Sequence, residues 1–326
     1  MENIDIKDKR ILSELDKDSR QPLSKIAKKI GLSLPAVHYR LNNLIKKGII
    51  LQFQTVIDYK KLGYTYHVIY FRLRNMDPET EENIINLLNK NPRIIYLLRC
   101  EGRWDLITGV CAKDILELND FIRELHKLIK NNITNELTLT HIGARQFERN
   151  FLTNKKEINR MDRLTGAKIE KYNATEQEIK ILNLISDNAR ISVPEIAKSI
   201  GSTIDKVKYH LKKLVKNKVI LGYSLVIDPK KIGLDLYRIL IRTNILSDEE
   251  ENKFISYCSF DPNLFLVSKT FERWDFTLEY EIEEDNFREV FNKIKKEFGD
   301  IITDFEILKV YSIDKSSYMP KIQSTS

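Results

Sequence analysis

The stretch KKIGLSLPAVHYRLNNLIKKG, residues 28–48, decides the fold of the domain around it. Ser33 is a good N-cap for a helix, and Pro35 is tolerated in the first turn. Gly31 before the helix and Gly48 after it allow sharp turns, because glycine adopts positive φ without strain. The predicted inner face carries apolar residues at the spacing i, i+4, i+7: Val37, Leu41 and Leu44.

Two shorter helices precede this one. Asp5 can cap a first helix that runs to about residue 16, where apolar residues recur at helical spacing. A second helix is predicted over about residues 23–30. After Gly48, apolar residues alternate over positions 49–57 as they do in a strand. Three helices with a tight turn between the last two, followed by a strand, indicate a winged helix-turn-helix.

The same pattern returns as KSIGSTIDKVKYHLKKLVKNK at residues 198–218. The two stretches are offset by 170 residues, without a gap from Arg10 and Lys180 to Gly63 and Gly233. The tripeptide Arg-Trp-Asp at 103–105 also recurs at that offset, at 273–275. The chain is therefore an internal duplication of a unit of about 150 residues.

A second pattern follows each helix-turn-helix. In the first copy we predict strands over 65–74, 93–100, 104–111 and 135–146, with helices over 78–90 and 115–130. In the second copy the strands are 236–244, 264–270, 275–282 and 302–311, with helices over 248–258 and 284–298. This order is βαββαβ, a ferredoxin-like domain. The fold class is α+β, with helix-turn-helix domains at 1–58 and 173–228, ferredoxin-like domains at 59–149 and 229–326, and a polar linker at 150–172.

The basic residues are concentrated in the two repeated helical segments. The whole chain has a net charge of +7, yet residues 5–48 contain 11 Lys and Arg against 5 Asp and Glu, and residues 175–218 contain 9 against 5. The rest of the chain is therefore slightly acidic. A basic surface limited to two helix-turn-helix segments is the pattern expected for binding a polyanion.

The outer face of each third helix has groups that can read DNA. Asn and Arg can pair with base edges, whereas Lys contacts phosphate. In the first copy the outward positions include Tyr39, Asn43 and Lys46, and in the second Tyr209 and Lys216 occupy equivalent positions. We therefore expect double-stranded DNA as the partner.

The residues 10–50, RILSELDKDSRQPLSKIAKKIGLSLPAVHYRLNNLIKKGII, followed by VIDYKKLG, resemble the Lrp/AsnC (feast/famine) family of prokaryotic transcription regulators. EGRWDLITGV resembles the glycine-x-aromatic-aspartate segment of that family. The resemblance implies a DNA-binding domain and a βαββαβ domain that pairs through its sheet and often binds an amino acid. It implies an effector turn at Gly102 and Asp105. With the basic positions above, the implied DNA-binding residues are Ser33, Pro35, Ala36, His38, Tyr39, Arg40, Asn43, Lys46, Thr203, Lys206, Lys208, Tyr209, His210, Lys213 and Lys216, with Asp205 at the position matching Pro35.

The chain departs from that family in three ways. It contains two units where one is usual, so we expect the two βαββαβ domains to pair within the chain as a pseudo-dimer, with further homo-oligomerisation left open. Glu272 replaces Gly102 in the second copy, which would crowd an effector there. Lys218 replaces Gly48, which predicts a less clean end for the second recognition helix.

The two alternatives to a regulator are a tetrapyrrole enzyme and an adaptor that does not bind DNA. Siroheme decarboxylases resemble the same two-domain unit, but the two segments leading to Trp104 and Trp274 contain no histidine. A non-DNA adaptor is disfavoured by the basic outer faces. The five histidines show no metal spacing and we find no catalytic pair, so no enzyme activity, cofactor or metal is expected. The three cysteines are expected to be buried thiols, and the lack of a long apolar run or signal peptide predicts a cytoplasmic protein.

Overall fold

The helices and strands follow the predicted order in both copies. The computed structural model describes residues 4–153, 162–165 and 170–321. The helices are α1 (Ile6–Lys17), α2 (Leu23–Ile30), α3 (Leu34–Lys46), α4 (Pro78–Lys90), α5 (Ile115–Ile129), α6 (Glu176–Asp187), α7 (Val193–Ser199), α8 (Ile204–Lys216), α9 (Asp248–Ser259) and α10 (Glu284–Phe298). The strands are β1 (Ile50–Ile57), β2 (Thr65–Leu73), β3 (Ile94–Glu101), β4 (Leu106–Ala112), β5 (Ile133–Phe147), β6 (Asp162–Thr165), β7 (Ile220–Ile227), β8 (Asp235–Thr243), β9 (Leu264–Phe271), β10 (Phe276–Ile282) and β11 (Ile302–Ser316). The last strand extends five residues beyond its predicted end, and β6 was not predicted.

The chain divides into two compact units, and each unit combines parts of both copies. The first unit contains Met1–Gln54, Ala144–Leu164 and Tyr223–Lys309. The second contains Thr55–Gly143, Thr165–Gly222 and Val310–Ser326. The first helix-turn-helix thus belongs to the same unit as most of the second βαββαβ domain, and the second helix-turn-helix to the same unit as the first βαββαβ domain.

In the first unit, the helix-turn-helix core is completed by residues from outside that domain. Apolar residues of α1, α2 and α3 form one buried cluster, as the helical spacing predicted. Leu225 and Ile227 of β7 and Leu152 of the predicted linker belong to the same cluster. Asp228 donates a backbone hydrogen bond to Ile49 at 3.0 Å. The second copy therefore supplies part of the core of the first helix-turn-helix, and part of the predicted linker is buried. Residues 154–161 and 166–169 of that linker lie outside the described residues.

The first unit also contains a sheet packed on two helices. Strand β10 pairs antiparallel with β8 and with β9, and β9 is also a neighbour of β5. The core between this sheet and helices α9 and α10 is rich in aromatic rings. The Phe254 ring lies 4.9 Å from that of Phe276, and the rings of Tyr237 and Phe287 stack at 3.9 Å. Phe147, at the end of β5, belongs to this core.

In the second unit, β2 pairs antiparallel with β4 and β5, β3 pairs with β4, and β11 is a neighbour of β3. The order β5-β2-β4-β3 is that of a ferredoxin-like sheet. Helices α4 and α5 pack on it over a core that includes Phe71, Phe121 and Leu125. Cys100, Cys111 and Cys258 are all free and buried, which confirms the prediction for the cysteines. No helix within the described residues is long and apolar enough to span a bilayer.

A buried ion triad fastens the first helix-turn-helix inside the first unit. The Arg149 guanidinium lies 2.6 Å from the carboxylate of Asp16 in α1 and 2.6 Å from that of Glu281 in β10. The three side chains are at most 3% exposed. Burial alone would lower the pKa of Arg149, but Glu281 and Asp16 raise it, so the arginine stays charged. The Phe265 ring lies 4.0 Å from the guanidinium carbon.

The second unit has no such triad at the equivalent positions. Asp16 corresponds to Ser186 and Glu281 to Cys111 at the offset of 170 residues. From α5 and α10 onward the two copies are offset by 169 residues, so Arg149 corresponds to Tyr318. Ser186 and Cys111 are buried, and Tyr318 is half-buried. The three positions are thus occupied by charged side chains in the first unit and by uncharged side chains in the second.

Arg149→Met should destabilise the protein by about 3–5 kcal/mol, because it leaves two buried carboxylates without a partner. The triple variant Arg149→Met, Asp16→Ser, Glu281→Cys, which removes all three charges, should recover most of that loss. Urea denaturation followed by circular dichroism measures both. If the loss of unfolding free energy in the triple variant equalled the sum of the losses in the three single variants, the three residues would not be coupled.

Candidate nucleic-acid interface

Helix α3 forms where its cap and apolar spacing predicted. The Ser33 side chain accepts a hydrogen bond from the Ala36 amide at 3.3 Å, which confirms the N-cap. Val37, Leu41 and Leu44 are buried, which turns the opposite face to solvent. The predicted readers on that exposed face or at its start are Ser33, Pro35, His38, Tyr39 and Lys46. Tyr39 is 69% exposed, so its ring is available to another molecule.

Helix α8 repeats the arrangement with more lysines. Thr203 caps it by accepting from the Lys206 amide at 3.3 Å. The Tyr209 ring is 63% exposed, close to the value for its counterpart in α3. The other exposed positions on this face are Thr203, Asp205, Lys206, Lys208, Lys212 and Lys216. Each recognition helix therefore presents one aromatic ring, surrounded by polar groups in α3 and by cations in α8.

Five predicted readers are half-buried instead: Ala36, Arg40, Asn43, His210 and Lys213. Arg40 lies between two acids of its own helix-turn-helix. Its Nη1 donates to Asp5 and to Asp8, each at 2.8 Å. Hydrogen bonds to these two acids raise the pKa of Arg40. Arg40 therefore joins α3 to the start of α1 in the free protein.

His210 and Lys213 have a similar partner in the second copy. Glu178 of α6 is buried, and its Oε1 lies 3.2 Å from His210 Nδ1, 3.1 Å from Lys213 Nζ and 2.9 Å from the hydroxyl of Tyr172. Burial would raise the pKa of Glu178, but the amide of Thr175 and these side chains lower it to about 2. Two of the predicted readers in α8 thus hold the recognition helix against α6.

Our sequence reasoning missed these acidic partners, although a signal for them was present. Asp8 and Glu178 are equivalent at the 170-residue offset, and so are Arg40 and His210. Both copies therefore keep an acid in the first helix and a basic group in the third. Comparing opposite charges between the two copies would have separated these residues from the exposed readers.

The end of α8 differs from our prediction. Helix α8 ends at Lys216, the position equivalent to Lys46 at the end of α3. Lys218 takes the left-handed conformation with φ 55°, close to the 68° of Gly48. The helix therefore ends as cleanly as α3, and the strain lies in the Lys218 backbone, since a side chain disfavours positive φ.

The predicted effector turn borders a cavity of about 360 Å³ in the second unit. Its apolar wall includes Met76, Ile84 and Ile85. The polar groups at its wall include Glu81, Arg99 and Glu101. Tyr311 of β11 also lines the cavity, and its hydroxyl donates to Glu81 at 2.8 Å. Gly102 and Asp105, both predicted, line the same cavity. The geometry can accommodate a small molecule that has both charged and apolar groups.

Asp105 already has partners in the free protein. Its carboxylate accepts from the Leu73 amide at 2.7 Å and from Arg72 at 2.9 Å, so it holds the β3–β4 turn. Gly102 in that turn has φ 129°, and its counterpart Glu272 has φ 106°. The second copy thus keeps a glycine-like backbone while adding a side chain, and this strains the equivalent turn.

Comparison with known proteins gives the family. The winged helix-turn-helix DNA-binding family model matches residues 4–50 and 175–220. An HTH-type transcriptional regulator of Pyrococcus furiosus is 31% identical over 132 residues, covering 40% of this chain and 87% of that protein. Transcriptional regulator AzlB of Bacillus subtilis is 36% identical over 122 residues, covering 36% of this chain and 76% of AzlB. The chain belongs to the Lrp/AsnC family of HTH-type transcriptional regulators.

One solved structure is similar to this Lrp/AsnC regulator over nearly the whole chain. The siroheme decarboxylase NirDL covers 96% of this chain, and the alignment covers 94% of NirDL, with a TM-score of 0.62 and 15% sequence identity. At that identity the likeness shows the fold alone. The duplicated arrangement of winged helix-turn-helix and ferredoxin-like domains is therefore confirmed.

The Glu178 cluster should make stability depend on acid pH. Because the folded pKa of about 2 lies below the usual 4.5, the ionised carboxylate contributes stability above pH 4.5. That contribution is lost as the pH falls from 4.5 towards 2. Urea midpoints of the wild type and of Glu178→Gln, measured across this range, should therefore converge on acidification. A difference between them that is independent of pH would contradict this role.

Lys218→Gly should stabilise the protein by about 1 kcal/mol, because glycine adopts positive φ without the clash of a Cβ atom. The reciprocal change, Gly48→Lys, should destabilise it by about the same amount, and no atom lies within 4 Å of a Cβ built at Gly48. Thermal unfolding of the two variants measures both effects. Shifts of the same sign would show that backbone conformation does not decide these positions.

Proposed function

We propose that the protein is a sequence-specific transcription regulator in the cytoplasm that reads DNA with two different recognition helices. The observation that carries this proposal is the pair of exposed helix faces, each with a tyrosine at its centre, Tyr39 and Tyr209. Family membership as a DNA-binding regulator supports it. Base reading is assigned chiefly to α3, where Asn43 lies beside the exposed ring. Phosphate contact is assigned chiefly to α8, with its lysines.

We further propose that the two copies act as an intramolecular pseudo-dimer. The composition of the compact units supports this, because each contains strands of both copies. The backbone hydrogen bond from Asp58 to Val219, 2.9 Å long, also joins the copies inside the second unit. A regulator built in this way binds an asymmetric site, since its two recognition helices differ. Further association of pseudo-dimers remains compatible with this arrangement.

Selecting bound sequences from random duplex DNA tests the proposal directly. We expect an asymmetric motif and an affinity that falls steeply with salt. On the selected site, Tyr39→Ala or Asn43→Ala should cost roughly 1–3 kcal/mol and relax the sequence preference. Lys46→Ala should weaken binding to all sequences about equally. A perfect palindrome bound by two chains that each use only α3 would overturn the asymmetric reading, and lack of duplex binding would overturn the regulator.

The cavity beside Gly102 is the proposed effector site, and an amino acid is the proposed effector. Arg99 can bind a carboxylate and Glu81 an ammonium group, while Met76, Ile84 and Ile85 would contact an apolar side chain. The equivalent turn in the second copy has Glu272 in place of Gly102. One effector per chain is therefore proposed.

Titration calorimetry across the amino acids tests this site. Gly102→Trp should weaken binding at least about tenfold, because the indole would occupy the cavity mouth. The matched variant Glu272→Trp, at the equivalent turn of the second copy, should leave binding unchanged. Equal effects of the two substitutions would place the effector elsewhere.

The alternative is a tetrapyrrole enzyme like the siroheme decarboxylase whose fold this chain shares. The described part of the chain contains no group of three His, Cys, Asp or Glu side chains placed to hold a metal. His67, on β2, is held between Thr65 and Thr140, and burial lowers its pKa to about 4. The absorption spectrum of the purified protein separates the two functions, because a bound tetrapyrrole would give an intense visible band.

A further inference from the structure

We infer that the cavity beside Gly102 controls the second reader alone, through the end of β11 and the segment that follows it. This inference rests on the proposed effector site and assigns its regulation. We call residues 317–321 the strap. The cavity, β11 from Val310 onward, the strap and the second helix-turn-helix all belong to the second unit.

The route begins at the cavity wall. Arg99 binds Asp314 of β11 with two hydrogen bonds, Nη2 to Oδ1 at 2.8 Å and Nε to Oδ2 at 3.1 Å. Tyr311 of the same strand donates to Glu81 at 2.8 Å. Arg99 and Glu81 of the cavity wall are therefore already occupied by groups from β11. A ligand whose carboxylate binds Arg99 must compete with Asp314.

The strap continues this contact to α6. The Ser317 amide donates to the Ile95 carbonyl at 2.7 Å, and its hydroxyl donates to Asp187 at 3.1 Å. Lys321 lies 2.5 Å from Asp187 and donates to the Asn183 carbonyl at 3.0 Å. Met319, between these contacts, is buried. The strap thus joins β3, a strand that lines the cavity, to the carboxyl end of α6. Glu178 of α6 in turn holds α8 through His210 and Lys213.

The difference in burial between the two units explains why the second helix-turn-helix responds to the ligand and the first does not. The side chains of Lys321 and Asp187 are 46% and 47% exposed, and exposed ion pairs change an equilibrium by about fivefold or less. At the equivalent place in the first unit, Arg149 and its two carboxylates are almost fully buried, and breaking such a triad changes an equilibrium by a hundredfold or more. Competition between a ligand and Asp314 for Arg99 can therefore loosen α6, whereas α1 stays in place.

Asp314→Asn mimics the competition without any ligand, because it keeps the side-chain volume and removes the charge that Arg99 binds. In the full chain we expect hydrogen exchange in α6 and the strap to rise about two- to fivefold, with α1 unchanged. Lys321→Ala should act in the same way from the other end of the strap. Asp304→Asn, on β11 within the first unit, is the matched control and should leave α6 unchanged. Unchanged exchange in α6 for both Asp314→Asn and Lys321→Ala would overturn the inference.

DNA binding tests which reader is affected. Asp314→Asn should weaken binding to the selected duplex severalfold, and that loss should disappear in a Lys206→Ala, Tyr209→Ala background but persist with Tyr39→Ala. A loss that disappears only with Tyr39→Ala would assign the control to the first reader and overturn the inference.

An experiment with a ligand distinguishes failure of this inference from failure of the effector proposal. With saturating L-leucine, calorimetry reports binding and hydrogen exchange reports α6. Binding together with faster α6 exchange supports both proposals. Binding with α6 unchanged overturns the strap as the route. If L-leucine does not bind while Asp314→Asn still loosens α6, leucine is excluded as the effector and the strap stands.

Discussion

A single buried arginine fixes the first reader in its compact unit. Arg149 lies after the last strand of the first copy, and its partners are Asp16 in the first helix and Glu281 in a strand of the second copy. Because a buried charge without a partner costs several kcal/mol, these three residues have to meet whenever the unit is folded. The exchange of parts between the two copies is therefore a requirement of the first unit.

The duplication provides an internal comparison, since each position in one copy has a counterpart in the other. Where the first unit places the ion triad of Arg149, Asp16 and Glu281, the second unit places uncharged side chains at the equivalent positions. The same comparison shows that a residue other than glycine can adopt the backbone conformation that glycine has in the other copy. Lys218 and Glu272 adopt the positive φ of Gly48 and Gly102, so the turn geometry survived the loss of the glycine. The two copies have thus kept one backbone while their side chains diverged.

The divergence also affects the two recognition helices. Each is anchored to its own first helix by an acid, Asp8 in one copy and Glu178 in the other. This contact removes Arg40, His210 and Lys213 from the freely exposed surface, while both tyrosines stay open to solvent. A recognition helix that is held in this way loses less conformational freedom on binding, which favours affinity. The difference that remains between the readers is the lysine content of α8, which raises contact with the DNA backbone relative to reading of bases.

The sequence by itself determined the local structure of this protein. Helix caps, apolar spacing and the 170-residue offset predicted nearly every helix and strand, the α+β class, the duplication and the exposed face of each recognition helix, because these depend on interactions within a few turns or strands. Only the tertiary structure decided how the parts of the two copies are combined, that β11 continues to Ser316, and which acids bind Arg149 and Arg99. Those outcomes depend on contacts such as Arg149 with Glu281 and Arg99 with Asp314, between residues more than a hundred positions apart. Sequence spacing carries no signal for such pairs, because their energy depends on a burial that exists only once the chain has folded.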